Sequence, residues 1–366
     1  MPVELCLRFA FGTALRAFVI TEDPMLKKLA IALTAITFTL ALTGCGGEKK
    51  TAEAKDVKPA ATAAVVNSFK PEVNNKPLRF LTEDKNAPVV YFTKDISAGG
   101  LMKVYKALGQ EKKGKVAVKV SFGAEGEQYL DPILMAELMK ETQGTFVDTN
   151  GFTAPRNTTK GNYAMAEKHG FTKVGPVDVL DADGDIDMPV QNGHHLKFTR
   201  TGAHIQNYDT FVAVHRFKTH YIAQLGGNIK NISLSLGSLS GKALIHSAGK
   251  NDKTYQWADD DTTARCFADA AKAAMDYKKG RWVFINVLDA FKAEDKCVNV
   301  QDRKSVGILA SADPVALDQA CVDFEFGAAK DDATRAAWEK HHSVNVLEFA
   351  EKINVGKRHY RMVSVD

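Results

Sequence analysis

The chain has 366 residues, 45% of them hydrophobic and 25% charged, with a formal net charge of +4. That apolar content excludes disorder over most of the length, and so small a charge excess without a basic cluster argues against a nucleic-acid partner.

In chain order, the first readable element is an export signal. Met25-Leu26-Lys27-Lys28 is followed by an apolar run from Leu29 to Leu42 and then by Leu42-Thr43-Gly44-Cys45. This is the order of a lipoprotein signal peptide, with a basic start, a hydrophobic segment, small residues and a cysteine to be lipidated. The run covers 14 residues, short of the roughly 20 that span a bilayer. The expected mature chain therefore starts at Cys45 and is held on a membrane by acyl chains without crossing it, each buried methylene contributing about 0.8 kcal/mol. The location this implies is the cell envelope. With Gly46 following the cysteine, the destination is the outer membrane in a Gram-negative host and the outer face of the plasma membrane otherwise. Residues 1–24 are read as an upstream extension, 25–44 as the signal peptide, 45–77 as the lipidated cysteine and a polar tether, and 78–366 as a globular domain.

From Pro88 onward the texture changes. Apolar, β-rich runs at Val89–Phe92, Val116–Val120, Thr145–Thr149, Phe211–Phe217, Trp282–Val287 and Val306–Ala310 predict strands. Gly99–Leu108, Pro132–Thr142, Lys160–His169, Thr262–Lys278 and Pro314–Phe326 predict helices between them. Such alternation predicts an α/β fold, a mostly parallel sheet with helices on both faces. Asp-Gly and Asn-Gly turns within 177–198 predict a hairpin excursion.

Candidate site residues concentrate after one strand. His215 and His220 offer imidazoles, Lys218 and Lys230 amines, and Gly226-Gly227 allows backbone to approach a bound group. In a parallel sheet such a segment falls near the carboxyl edge, where sites collect. Lys230, His220 and His215 are the expected catalytic groups, with Gly226, Gly227, Lys230 and His246 as cofactor-binding residues. His246 belongs to a second polar stretch, from Ser240 to Lys250. A metal ion would draw on His215, His220, Asp313, Asp318 and Cys321. Asp313 also suits a helix N-cap, since Pro314 follows it. The aspartates of Asp181-Ala-Asp-Gly-Asp-Ile-Asp187 place Gly184 fourth, not sixth, so a solvated turn is expected there and not an EF-hand loop. Beyond Cys45 the mature chain keeps Cys266, Cys297 and Cys321, one short of the four ligands of an ordinary iron–sulfur cluster. An intrinsic 4Fe–4S cluster is not expected. Cys297 and Cys321 are expected to lie close together, as a disulfide or as joint ligands.

Several motifs carry a family resemblance: Val90-Tyr-Phe, Val118-Lys-Val-Ser-Phe-Gly123, Gly144-Thr-Phe-Val-Asp-Thr149, Gly226-Gly-Asn-Ile-Lys-Asn-Ile-Ser233, Lys242-Ala-Leu-Ile-His-Ser-Ala-Gly-Lys250 and Ala312-Asp-Pro-Val-Ala-Leu-Asp-Gln-Ala-Cys321. With them the chain, from about Val89 to Asp366, resembles the domain of unknown function 362 family, whose members are often described as iron–sulfur centre proteins. Many members carry a ferredoxin-type cysteine run, which this chain lacks. Locally, His220, Gly226, Gly227 and Lys230 are similar in spacing to the cofactor-holding segment of nickel-pincer lactate racemases, and Asn231-Ile-Ser departs from the Pro-Gly continuation found there. The function expected is a metal- or cofactor-dependent enzyme acting on a small molecule. The alternatives are a noncatalytic metal- or anion-binding lipoprotein and a scaffold that docks to redox proteins.

Overall fold

The computed structural model describes residues 69–111, 113–126, 129–220, 224–290 and 304–366, all within the unit Ala60–Asp366. Cys45 and Cys297 lie outside the described residues, as do the signal segment and the first part of the tether. The last part of the expected tether carries structure: Glu72–Val73 (β1) and Lys76–Pro77 (β2) pair antiparallel, and Phe69 stacks on Phe92 at 5.1 Å.

The strands that follow are Val89–Thr93 (β3), Val116–Lys119 (β4), Thr145–Asp148 (β5), Val177–Val179 (β6), Asp185–Pro189 (β7), Phe198–Gly202 (β8), Thr210–Arg216 (β9), Lys218–His220 (β10), Gln224–Gly226 (β11), Trp282–Leu288 (β12), Gly307–Ser311 (β13) and Arg361–Ser364 (β14). Eight form one sheet in the order β14-β3-β13-β12-β9-β4-β5-β6. β13 runs antiparallel to both neighbours, and every other pairing in that sheet is parallel. The fold is therefore α/β with a mostly parallel sheet. The excursion falls slightly later than the turns suggest: Val177–Val179 joins the edge of the sheet, and β7 pairs with β8 as a separate hairpin. β10 and β11 form a second one.

The helices are Ala98–Ala107 (α1), Ala136–Thr142 (α2), Thr159–Lys168 (α3), Phe171–Val174 (α4), Asn228–Ile232 (α5), Leu239–His246 (α6), Asp260–Tyr277 (α7), Pro314–Phe326 (α8), Asp332–His341 (α9) and Asn345–Lys352 (α10). Their starts follow from short polar side chains that accept a free first-turn amide. Ser97 accepts from Gly100 N, Thr158 from Gly161 N, Ser238 from Gly241 N, Asp259 from Thr262 N and Asp331 from Thr334 N.

Successive strand residues point to opposite faces, and both faces are covered. Phe211, Ala213, Phe284 and Leu288 pack with residues of α5, α7, α8 and α10. Val212, Val214, Val283, Ile285 and Val287 pack with residues of α1, α2 and α4. Strands buried on both sides read as continuous apolar runs, which is the pattern in the sequence.

One carboxylate locks α8 to the short α5. Asp318 accepts from Asn228 N and Ile229 N, both at 2.8 Å, and from Asn286 Nδ2 at 2.7 Å. A Cβ on Gly227 would sit 2.5 Å from that carboxylate, so the glycine is required by close approach. We expect Asp318→Ala to lower stability by about 3 kcal/mol, because it strands three buried donors at once. Urea unfolding measures this, and an unchanged midpoint would contradict it.

Candidate functional site

The carboxyl ends of β4, β5, β9 and β12 lie along one edge of the sheet, the place where open α/β sheets carry their ligands. β4 ends in Lys119 and β5 in Asp148, and neither side chain is exposed to solvent beyond 2%. Lys119 Nζ donates to Asp148 Oδ1 at 3.0 Å, Val120 O at 2.7 Å and Asn231 Oδ1 at 3.1 Å, which uses all three protons of an ammonium. Asp148 Oδ2 accepts from Arg156 at 2.6 Å and from Phe122 N at 2.9 Å. Burial pushes the Asp148 carboxyl up, but Lys119, Arg156 and the Phe122 amide outweigh it and hold the group below the usual range. Asn231, on α5, also donates to Lys119 O and Asn228 Oδ1, both at 3.4 Å. The pair thus anchors the strand ends to the helix that carries Lys230.

Of the sequence-predicted residues, His215 sits in register beside Asn286 on β12. Its Nε2 is shut off from solvent and has no hydrogen-bond partner among the described residues. Burial, followed by the charges of Lys218, Lys119 and Lys230, lowers its pKa to about 3. His246, at the end of α6 and 6% exposed, has a buried Nδ1 without a partner among the described residues. Burial, then Lys230 and Lys242, lowers its pKa to about 3 as well. Both imidazoles are therefore neutral at physiological pH. Lys230 is half-buried on α5, and its charge contributes to the lowering of both imidazoles. His220 lies on β10, and its side chain is outside what the structure describes.

Other expected residues are engaged elsewhere. Asp313 is the N-cap of α8, accepting from Val315 N and Ala316 N at 2.9 Å and from Lys357 N at 2.9 Å, and burial raises it to about 6. Asp318, also raised to about 6 by burial, spends its oxygens on the start of α5. Cys321 Sγ is buried beside Asn286 Nδ2, 3.4 Å away. Among the described residues no three His, Cys, Asp or Glu side chains form a metal-binding group. The missing Cβ atoms of the glycine pair serve internal contacts: Gly227 faces the Asp318 carboxylate, and a Cβ on Gly226 would meet Lys218 O at 2.5 Å. Among the described residues the cysteines are Cys266 and Cys321, both buried, fewer than the four ligands of an ordinary iron–sulfur cluster.

Sequence reasoning missed Lys119, Asp148, Arg156 and Lys242 as members of this centre. Lys242, on α6, is buried, and its Nζ donates to Thr149 Oγ1 at 2.6 Å and to Gly237 O. Burial lowers its pKa to about 7, with Asp181 and Asp148 opposing and Arg156 and Lys119 adding to the fall. The aspartate-rich turn is solvated at Asp183, Asp185 and Asp187, as expected, and its carboxylates also reach neighbouring loops. Asp181 accepts from Asn150 N at 2.9 Å, Asp183 contacts His204 at 2.8 Å and Asp185 accepts from Ser238 at 2.8 Å, so its carboxylates brace the loops beside the centre.

Comparison with known proteins agrees with the sequence motifs. The family model described as Domain of unknown function (DUF362) matches residues 116–323, more than half of the chain, and the protein belongs to that family. No curated protein matches. Two solved structures are similar. A crystal structure of a protein from Thermotoga maritima is 11% identical with a TM-score of 0.40, over 71% of this chain and 58% of that one. The lactate racemase apoprotein from Thermoanaerobacterium thermosaccharolyticum is 16% identical with a TM-score of 0.37, over 65% of this chain and 59% of the other. The chain thus spans less than two thirds of either protein.

The low Lys242 value has a thermodynamic consequence. Between about 7 and the ordinary 10.5 the unfolded chain binds the proton that the folded chain has released, so stability rises with pH across that window. We expect Lys242→Met to remove this rise, as measured by the difference between wild-type and variant urea midpoints from pH 7 to 10. Parallel curves would contradict it.

Proposed function

We propose that the domain is a metal- or cofactor-dependent enzyme of the cell envelope, acting on a small molecule at the carboxyl edge of the parallel strands. The observation that carries this reading is the pair of neutral imidazoles, His215 and His246, each with a buried nitrogen that has no partner among the described residues, both lowered in part by the Lys230 charge. A buried polar atom left without a hydrogen bond costs about 1–3 kcal/mol, and active sites are where such costs are tolerated because a ligand meets them. A bound metal would supply Lewis acidity toward a substrate oxygen. The chain's own contribution is the Lys230 charge, which favours an anionic group, and neutral imidazoles whose ring nitrogens can offer a lone pair. The same features without turnover would make a noncatalytic binder of a metal or small anion.

The test is elemental analysis and intact mass of protein purified without chelators, followed by His215→Ala, His246→Ala and Lys230→Ala. We expect each variant to lose bound metal or cofactor at least tenfold in affinity, with a change in unfolding free energy of about 1 kcal/mol or less for the half-buried Lys230. Full retention of binding in all three would sink the reading.

The envelope location rests on the signal and on Cys45. Cys45→Ser should leave the precursor uncleaved and without acyl chains, which mass spectrometry of the membrane fraction detects. A mature protein beginning anywhere else would contradict it. Among the described residues no helix is long and apolar enough to cross a membrane.

A further inference from the structure

β14 is the outer strand of the eight-stranded sheet, bonded on one side to β3. Arg361 N donates to Pro88 O at 2.8 Å, and Val365 N, just past the strand, donates to Phe92 O at 2.9 Å. Backbone groups alternate in direction along an extended chain, so those of Tyr360, Met362 and Ser364 turn away from β3. Tyr360 is met on that side by the arm that precedes β3: its N–H donates to Phe80 O at 3.1 Å, and its carbonyl accepts from Thr82 N at 2.9 Å. This is a single rung of parallel pairing, with Leu81 beside Tyr360. The arm then folds away, Ala87 N donating to Asp84 O at 3.0 Å. The next rung, the N–H and C=O of Met362, has no partner among the described residues.

That open rung borders a cavity. Arg361, Met362 and Val363 line one side of a space of about 690 Å³, and Phe69, Leu78 and Leu81 give it apolar walls. Met362 is 3% exposed, and backbone groups so enclosed are rarely left unpaired. Unpaired groups on a strand edge are a template for another chain, and a peptide main chain carries a donor and an acceptor at the spacing such a rung requires. The charges around the cavity select among peptides. Lys70, Arg79, Lys85 and Arg361 lie on it against a single acid, Glu83. Lys70 pairs with Glu83 and Arg79 with Glu339, while Lys85 and Arg361 meet no carboxylate among the described residues. These two uncompensated cations favour a segment with acidic side chains.

We propose that the edge of β14 at Met362 takes up an extended acidic segment of a partner protein, which adds a strand to the sheet where the arm leaves off. The segment's main chain pairs with Met362. Its side chains alternate, one set against the apolar walls and the other carrying carboxylates toward Lys85 and Arg361. In the sheet order β14 stands four strands from β9, which carries His215, so this binding surface is separate from the proposed enzyme site and does not rest on it.

The experiment uses the full-length protein in detergent and a fluorescein-labelled peptide of alternating valine and glutamate, about six residues long as strands usually are. Fluorescence anisotropy reads its binding, with a valine–lysine peptide as the control. We expect the acidic peptide to bind at least tenfold more tightly than the basic one, and less tightly as salt is raised. Amide hydrogen exchange at Met362 should slow at least tenfold when the acidic peptide is bound, while Arg361 and Val363, already bonded to β3, change little. Met362→Pro takes away the outward N–H and spares the bonds to β3, as proline does on an edge strand, and should weaken binding at least tenfold. If that variant fails to fold, Lys85→Glu, at an exposed position, should still weaken the acidic peptide about fivefold, and the exchange at Met362 decides with it. No binding of the acidic peptide, equal binding of the basic one, or binding without slowed exchange at Met362 would overturn the proposal. So would a Met362 amide already protected in the free protein and exposed by deletion of residues 46–68, since the chain would then fill its own edge.

Discussion

Burying charge at the ends of β4 and β5 is the constraint on which this structure turns. Asp148 is closed off from water and would be costly there alone, so it gathers Lys119, Arg156 and the Phe122 amide around it. Each partner brings a different piece of chain. Lys119 fixes the neighbouring strand end and, through Asn231, the helix after β11. Arg156 also donates to Thr149 O at 3.1 Å and to Asn162 on α3 at 2.9 Å, which settles the loop leaving β5. Thr149 in turn receives Lys242. Removing one member of such a group leaves an uncompensated charge and costs several kcal/mol, so the centre is rigid for electrostatic reasons before any ligand arrives.

The fold was largely legible because a doubly covered sheet writes itself as continuous apolar runs. Val116–Lys119, Thr145–Asp148 and Trp282–Leu288 were read within a residue or two of their observed ends. The reversal of β13 was not legible. Val306–Ala310 is apolar throughout, and a strand buried on both faces gives the same signal whichever way it runs. The short α5 and α6 were also hidden. Asn228–Ile232 and Leu239–His246 contain Asn, Gly, Ser and Lys, weak helix formers or polar residues in a window too short for periodicity to show. They exist because tertiary contacts hold them, the first through Asp318 and the second through its Ser238 cap.

The site was legible in part for a related reason. His215, Lys230 and His246 stood out as a concentration of imidazoles and amines beside glycines. Lys119 did not, although a lysine in the middle of Val-Ala-Val-Lys-Val is an anomaly that a fully buried strand position tolerates only with a partner. Asp148 stands at a strand end and Arg156 in a loop, where charge is ordinary, and Lys242 is one of several polar residues between Ser240 and Lys250. Their roles depend on contacts between residues up to 112 apart in sequence, which local spacing does not encode. Asp313 and Asp318 went the other way: carboxylates that suggested ligation turned out to accept backbone amides.

The Asp318 contact also says something about selectivity. In many α/β proteins a glycine-rich turn after a strand leaves the first amides of the next helix open, and a nucleotide's phosphate docks there. Here the chain fills that cradle with its own anion, held by the amides of Asn228 and Ile229 over the bare Cα of Gly227. A phosphoryl group would have to expel a buried carboxylate and break the α8 contact to enter. The glycine pair, which in sequence suggests room for a bound group, in three dimensions makes room for the chain's own carboxylate.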